Sequence, residues 1–248
     1  MPKTPQSARP AATPPTLPAR RAYTEDSRDI AASFLFILPV LIAYELGVVW
    51  LRLDAINWAH GLVRYVLAPL GPAEPFLFAA VITACAVLAQ LRADRLRIDA
   101  ELFGLMLVES LVYAVAMVLV CSLAARQMLL VSLGSGRELM SNLVLSAGAG
   151  VYEEMLFRVV LMGGLYHGLK RCRGVAAWRA AAIAIIGSSM IFSACHHIGP
   201  YGEVFAWAPL VYRFGLGVLF ATIYIYRGLG IVVYTHAFYD VFCLVSAQ

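Results

Sequence analysis

Charge is what this sequence has least of. Only 14% of its 248 residues are Asp, Glu, Lys or Arg, whereas 61% are hydrophobic. A soluble domain of this length can bury an adequate core, but it needs more charge to cover its surface. Paired cysteines are missing as well. The five present (Cys85, Cys121, Cys172, Cys195 and Cys243) are odd in number and widely scattered, with no CxxC and no Cys/His ligand spacing. That argues against a disulfide framework or a structural zinc cluster. Cys195 stands beside a histidine, yet a lone cysteine in apolar surroundings is first of all a packing residue. No lipidation motif is found at either end, and no internal repeat is visible. The formal charge of +4 follows from where the basic residues lie, so no nucleic-acid partner is expected.

Long apolar stretches are abundant. Mean hydropathy is +0.78, and runs near the ~20 residues needed to cross a hydrocarbon core recur along most of the chain. The reading is an all-α protein, a polytopic bundle of about seven transmembrane helices. The spans are expected at about 30–51, 75–91, 102–125, 139–165, 177–198, 208–226 and 229–246. The segment near 56–70 reads as an interfacial or re-entrant piece. Residues 1–29 are rich in Pro, Ala, Thr and Arg and read as a disordered basic tail. No small-residue cleavage site follows clearly, so the first span is expected to stay as an anchor.

Lys and Arg in the short loops set the orientation. With the N-terminus inside, thirteen fall on the inner side: Lys3, Arg9, Arg20, Arg21, Arg28, Arg92, Arg95, Arg97, Lys170, Arg171, Arg173, Arg179 and Arg227. Four fall outside: Arg52, Arg64, Arg126 and Arg137. The expectation is a cytoplasmic N-terminus, in a bacterial inner membrane.

Ionisable groups inside a span cost about 2.5–3.5 kcal/mol each, so each one present needs a reason. The fourth span contains Glu153, Glu154 and Arg158. Glu154 and Arg158 are four apart, on one helix face, in the favourable acid-first order. Glu153 points about 100° away, so the same arginine serves it less well. That assigns Glu154 to holding Arg158 and leaves Glu153, a desolvated carboxylate, as a general base for water. The fifth span ends in Phe192, Ser193, Ala194, Cys195, His196 and His197, with Phe192 and His196 on a shared face. The last span carries His236 and Asp240, another i, i+4 pair, in which Asp240 can hydrogen-bond His236 and fix its tautomer. Three separate spans thus each bring polar groups into apolar surroundings, and one wet cavity inside the bundle is the natural meeting place. Counted from the loops, however, His196 falls toward the outer end of its span, while Glu153 and His236 fall nearer the middle or inner half.

These three motifs, in this order on successive spans, resemble the CPBP group of membrane proteases, which includes the Rce1-type CAAX prenyl endopeptidases and the bacterial Abi proteins. The group's pattern is EExxxR, then FxxxH, then HxxxN or HxxxD. Here it reads Glu153-Glu154-xxx-Arg158, Phe192-xxx-His196 and His236-xxx-Asp240. The resemblance covers roughly residues 139–246, so 139–248 is expected to be the catalytic core and 30–138 an N-terminal set of helices that match nothing nameable. It implies an intramembrane endopeptidase acting on a membrane-associated or lipid-modified protein or peptide, by CAAX-type cleavage or C-terminal sorting or leader processing. It implies that Glu153 and His196 activate a water, and that His236 with Asp240 stabilises the oxyanion. Glu154, Arg158 and Phe192 would support them. Where Asn stands in the group, an ionised Asp240 would be a poor donor, so it would instead orient or charge His236.

No cofactor is expected. The alternative within the same chemistry is zinc held by Glu153, His196 and His236. The alternative from another class is a non-proteolytic membrane scaffold or binding protein that keeps the cluster for structure. Glu45 and Glu109 lie in spans without a motif and are expected to pair with Arg158 or Arg213, or to line the cavity. His60 and His167 read as loop residues. His197 reads as a neighbour that bonds to backbone or lipid headgroup, and Arg213 as a snorkelling or carbonyl-binding residue.

Overall fold

The computed structural model describes residues 23–53, 57–69, 84, 100–124, 136–199 and 202–246. Among these, the chain is helical, and seven helices carry the architecture: α1 Ile30–Leu51, α2 Trp58–Leu67, α3 Ala100–Ala124, α4 at 136–171, α5 Ala177–Cys195, α6 Trp207–Arg227 and α7 Leu229–Ser246. The expected span at 75–91 lies outside the described residues, apart from Ala84.

Local chemistry explains the helix ends. Asp29 caps α1 by accepting from the backbone N–H groups of Ala31 and Ala32, and Arg52 closes it in the left-handed conformation, φ 51°. Asn57 caps α2 by accepting from the His60 N–H. A turn at Gly228, φ 87°, reverses the chain between α6 and α7. Tyr23–Asp26 forms a helical turn ahead of α1, so helical order begins inside the segment read as a tail.

Ile30–Leu51, Ala100–Cys121, Ala177–Cys195 and Trp207–Arg227 are long and apolar enough to cross a bilayer, and Leu229–Cys243 is a shorter apolar helix. Large apolar side chains such as Leu46, Val49, Leu119 and Val120 face outward, as lipid requires and water would penalise. The chain is an integral membrane protein. At ten residues, α2 is too short to span.

Helix α7 sits at the centre, packed by α1, α3, α4 and α6, and its Ile231, Val232 and Val233 are fully buried. Helix α5 packs on α6 and on the second half of α4. At one end of the bundle, Arg227 at the foot of α6 forms an ion pair with Glu109 of α3 and bonds Ser27 at 3.2 Å, while the Tyr23 hydroxyl donates to Glu109 at 2.6 Å. At the other end, Arg137 at the start of α4 donates to the Leu51 carbonyl at 3.1 Å. Glu109 therefore pairs with Arg227 rather than with Arg158 or Arg213, because it shares a membrane depth with Arg227.

The depth mismatch of His196 resolves in the packing. Helix α4 runs nine residues past its middle, as Gly163–Arg171, before α5 begins, and α5 stops at Cys195, short of the expected 198. The final turn of α5 is consequently level with the middle of α4, where the Phe157 and Phe192 rings meet at 5.2 Å.

Candidate active site

The middle of α4 is not a regular α-helix. Ala149–Glu153 and Met155–Met162 are wound in the wider π form, with Glu154 between them. Such turns are rare and tend to mark functional positions. One α4 glycine brings this stretch against α7. A Cβ on Gly150 would lie 2.6 Å from the Val233 carbonyl oxygen and 3.1 Å from the Ala237 Cβ, so only glycine permits the approach. That approach carries the two glutamates to His236.

Glu154 lies 3.0 Å from Arg158 Nε, both at 0% side-chain exposure. Its other carboxylate oxygen is 2.8 Å from His236 Nδ1. A carboxylate accepts, so Nδ1 carries the proton and Nε2 points onward. Nε2 faces Glu153 at 3.8 Å and Asp240 at 3.6 Å, both beyond direct hydrogen-bond range. This corrects the expected division of labour. Glu154 holds Arg158 as anticipated, but it also orients His236, the task expected of Asp240. Asp240, one turn along the same helix, reaches only the far side of the ring.

Aromatic faces enclose the charged groups. The Arg158 guanidinium lies over Phe192 at 5.1 Å and Phe220 at 5.8 Å. Its terminal nitrogens meet no hydrogen-bond acceptor among the described residues, so these rings are its immediate neighbours. Phe220 stacks on His236 at 4.3 Å and 18°. Phe220 was not legible as a site residue, since α6 carries no polar motif at that position.

His196 closes α5. Its Nδ1–H donates to the Phe192 carbonyl oxygen at 2.8 Å, which leaves Nε2 as the available base. The Phe192 ring meets both imidazoles edge-on, its centroid 5.0 Å from that of His196 and 6.3 Å from that of His236. The four-residue spacing of Phe192 and His196 puts the Phe192 ring over Arg158 and against both histidines. Cys195 is buried beside Phe157 and Phe192 and packs there.

The loop after α5 is tied back to the site. The Glu203 N–H donates to the His196 carbonyl at 2.9 Å, and the Glu203 carboxylate takes a bidentate pair from Arg213 at 2.8 and 2.5 Å. The guanidinium holds this carboxyl below the usual carboxylate range. Arg213 therefore binds a carboxylate, not a carbonyl. His197 donates from Nδ1 to the Glu203 carbonyl at 3.3 Å.

A second buried polar group lies on the opposite side of α4. Tyr152 donates to Glu45 of α1, and Tyr44 bonds His60 Nδ1. His60 is buried inside α2 rather than exposed in a loop, and Glu45 accepts from Tyr152.

The donors of the alternative zinc set do not gather into a ligand sphere. Among the described residues, no group of three or more His, Cys, Asp or Glu is placed to hold a metal ion. His236 Nδ1 is committed to Glu154.

A family model described as Rce1-like, type II CAAX prenyl endopeptidase, matches residues 135–242. No curated protein and no solved structure matches the chain.

Proposed function

We propose that this chain, whose residues 135–242 match the Rce1-like family model, is an endopeptidase that hydrolyses peptide bonds with a water activated by Glu153 and His196. Glu153 takes the proton as the water oxygen attacks the scissile carbonyl, while Nε2 of His196 accepts a hydrogen bond from the same water and orients it. The tetrahedral oxyanion is held by His236, which donates from Nε2 as the imidazolium while Glu154 keeps Nδ1. Glu153 then passes the proton to the leaving amine as the C–N bond breaks. Asp240, 3.6 Å from Nε2, supplies a nearby negative charge to that imidazolium. Electrostatic stabilisation of this kind is usually the largest single contribution to acyl-transfer catalysis. No step is routed through a metal.

The observation that carries this reading is the meeting of Glu153 and His236, from separate helices, across 3.8 Å inside the bundle. The substrate class that fits is a membrane-associated or lipid-modified peptide, of CAAX type or a C-terminal sorting or leader segment. Helices α1 and α6 place the Tyr23 and Arg227 ends together, in keeping with a cytoplasmic N-terminus on the Lys/Arg count. A bacterial inner membrane is the setting proposed.

The test is to compare membranes carrying the native chain with membranes carrying Glu153→Ala, by mass spectrometry of small membrane proteins and peptides. Specific peptides that lengthen in the variant name the substrate and support the reading. Identical peptide profiles at equal protein level favour the scaffold alternative.

A further inference from the structure

The helices before residue 135 lie outside the family match, yet they grip the residue next to Glu153. Tyr152 belongs to the same π-wound turn as Glu153. Its ring is stacked on His60 of α2 at 4.4 Å and 19°, and Tyr44 of α1 meets it edge-on at 5.5 Å. Its hydroxyl donates to Glu45, also of α1, and Tyr44 in turn bonds His60. All four side chains are buried, from 0% to 5% exposed. Gly148, one turn earlier, lets Tyr44 close on α4, since a Cβ there would overlap its ring at 2.2 Å.

A buried carboxylate and phenol in lipid surroundings are costly unless bonded, and simple packing would be served by apolar residues. A widened helical turn is also held by its tertiary contacts more than by its own backbone. Adjacent positions on a helix diverge by about 100°, so fixing the Tyr152 ring fixes the direction in which Glu153 leaves α4.

We infer that the Glu45–Tyr152 pair, backed by Tyr44 and His60, is a positioning device that α1 and α2 contribute to the site, setting the Glu153 carboxylate against His236. This rests on the proteolytic reading for its purpose, but not for its test. Glu45 and Tyr152 touch no reacting atom; they act through the turn.

The test uses the full-length purified chain in detergent, with three variants: Glu45→Leu, Tyr152→Phe and Glu45→Gln. The substrate-free measurement is infrared. The carboxyl band lost on Glu153→Gln identifies Glu153, and it shifts or broadens in Glu45→Leu and Tyr152→Phe but stays in place in Glu45→Gln, which keeps an acceptor for the Tyr152 hydroxyl. The second measurement is cleavage of a quenched peptide ending in a prenylated cysteine and three further residues. There kcat falls by about ten- to a hundredfold in Glu45→Leu and Tyr152→Phe with KM unchanged, as misplacement of a reacting group does, and Glu45→Gln restores it. An unmoved Glu153 band in Glu45→Leu and Tyr152→Phe overturns the inference. Cleavage that survives Glu153→Gln overturns the proteolytic reading instead and leaves the infrared result to decide the positioning role.

Discussion

His236 Nδ1 lies 2.8 Å from Glu154 of α4, eighty-two residues away in sequence, rather than bonding Asp240 one turn along its own helix. This single contact makes Glu154 a bridge, since its other oxygen meets Arg158 at 3.0 Å. Adjacent glutamates therefore divide the work: one completes a buried charge arrangement and the other faces His236 Nε2 at 3.8 Å.

That division predicts opposite mutant behaviours. Glu154→Leu strands the Arg158 charge and frees the His236 ring, and removing one partner of a buried pair costs about 3–5 kcal/mol. The variant should melt well below the native chain in detergent. Glu153→Gln removes a group with no direct bond to His236 and should melt close to it. Equal losses in both would contradict the assignment.

What could be read from the sequence was what repeats or lies close along the chain. Apolar runs gave α1, α3 and α5 to α7 within a few residues, and the i, i+4 spacing gave Glu154 with Arg158. The motifs at Glu153, Phe192 and His236 also stood out as a set. Contacts between distant helices were illegible, because they depend on how closely backbones approach. Gly150 decides that Glu154 reaches His236, and Gly148 decides that Tyr44 reaches α4, but neither glycine announces its neighbour. Glu109 was expected to pair with Arg158 or Arg213, or to line the cavity, for the same reason: the sequence does not show that the bundle brings Arg227 beside it.

Gly150 offers a steric test. An added methyl must displace the Val233 carbonyl at 2.6 Å, which is backbone and cannot turn aside. Gly150→Ala should cost about 1–3 kcal/mol, typical of overpacking, and should lower cleavage by separating the glutamates from His236. Thermal melts and cleavage rates check both parts. A native-like melt and rate would show that α4 and α7 do not meet this closely.

Metal removal gives a clean contrast between the two chemistries. Exhaustive chelation followed by assay should leave the cleavage rate unchanged, with no stoichiometric zinc by elemental analysis. Full loss on chelation, restored by zinc, would overturn the metal-free mechanism.

The buried His60 gives stability a pH dependence. Burial, assisted by the nearby Arg64 charge, lowers its pKa to about 4 from the ordinary 6.5. The folded chain thus keeps His60 neutral while the unfolded chain takes up a proton below about pH 6.5, so stability present at neutral pH is lost as pH falls from there toward 4. From pH 7 to 5 the loss is about 2 kcal/mol. His60→Gln should flatten this part of the melting-temperature profile, and an unaltered slope would contradict it.

The most direct test of the account is the cleavage rate of the purified Glu153→Gln chain beside its melting temperature. General acid–base catalysis by a positioned carboxylate is worth about 10²–10⁴ in rate, so the account predicts a loss of that size with an unchanged melt. A rate within a factor of about two of the native chain, at the same melting temperature, would contradict it.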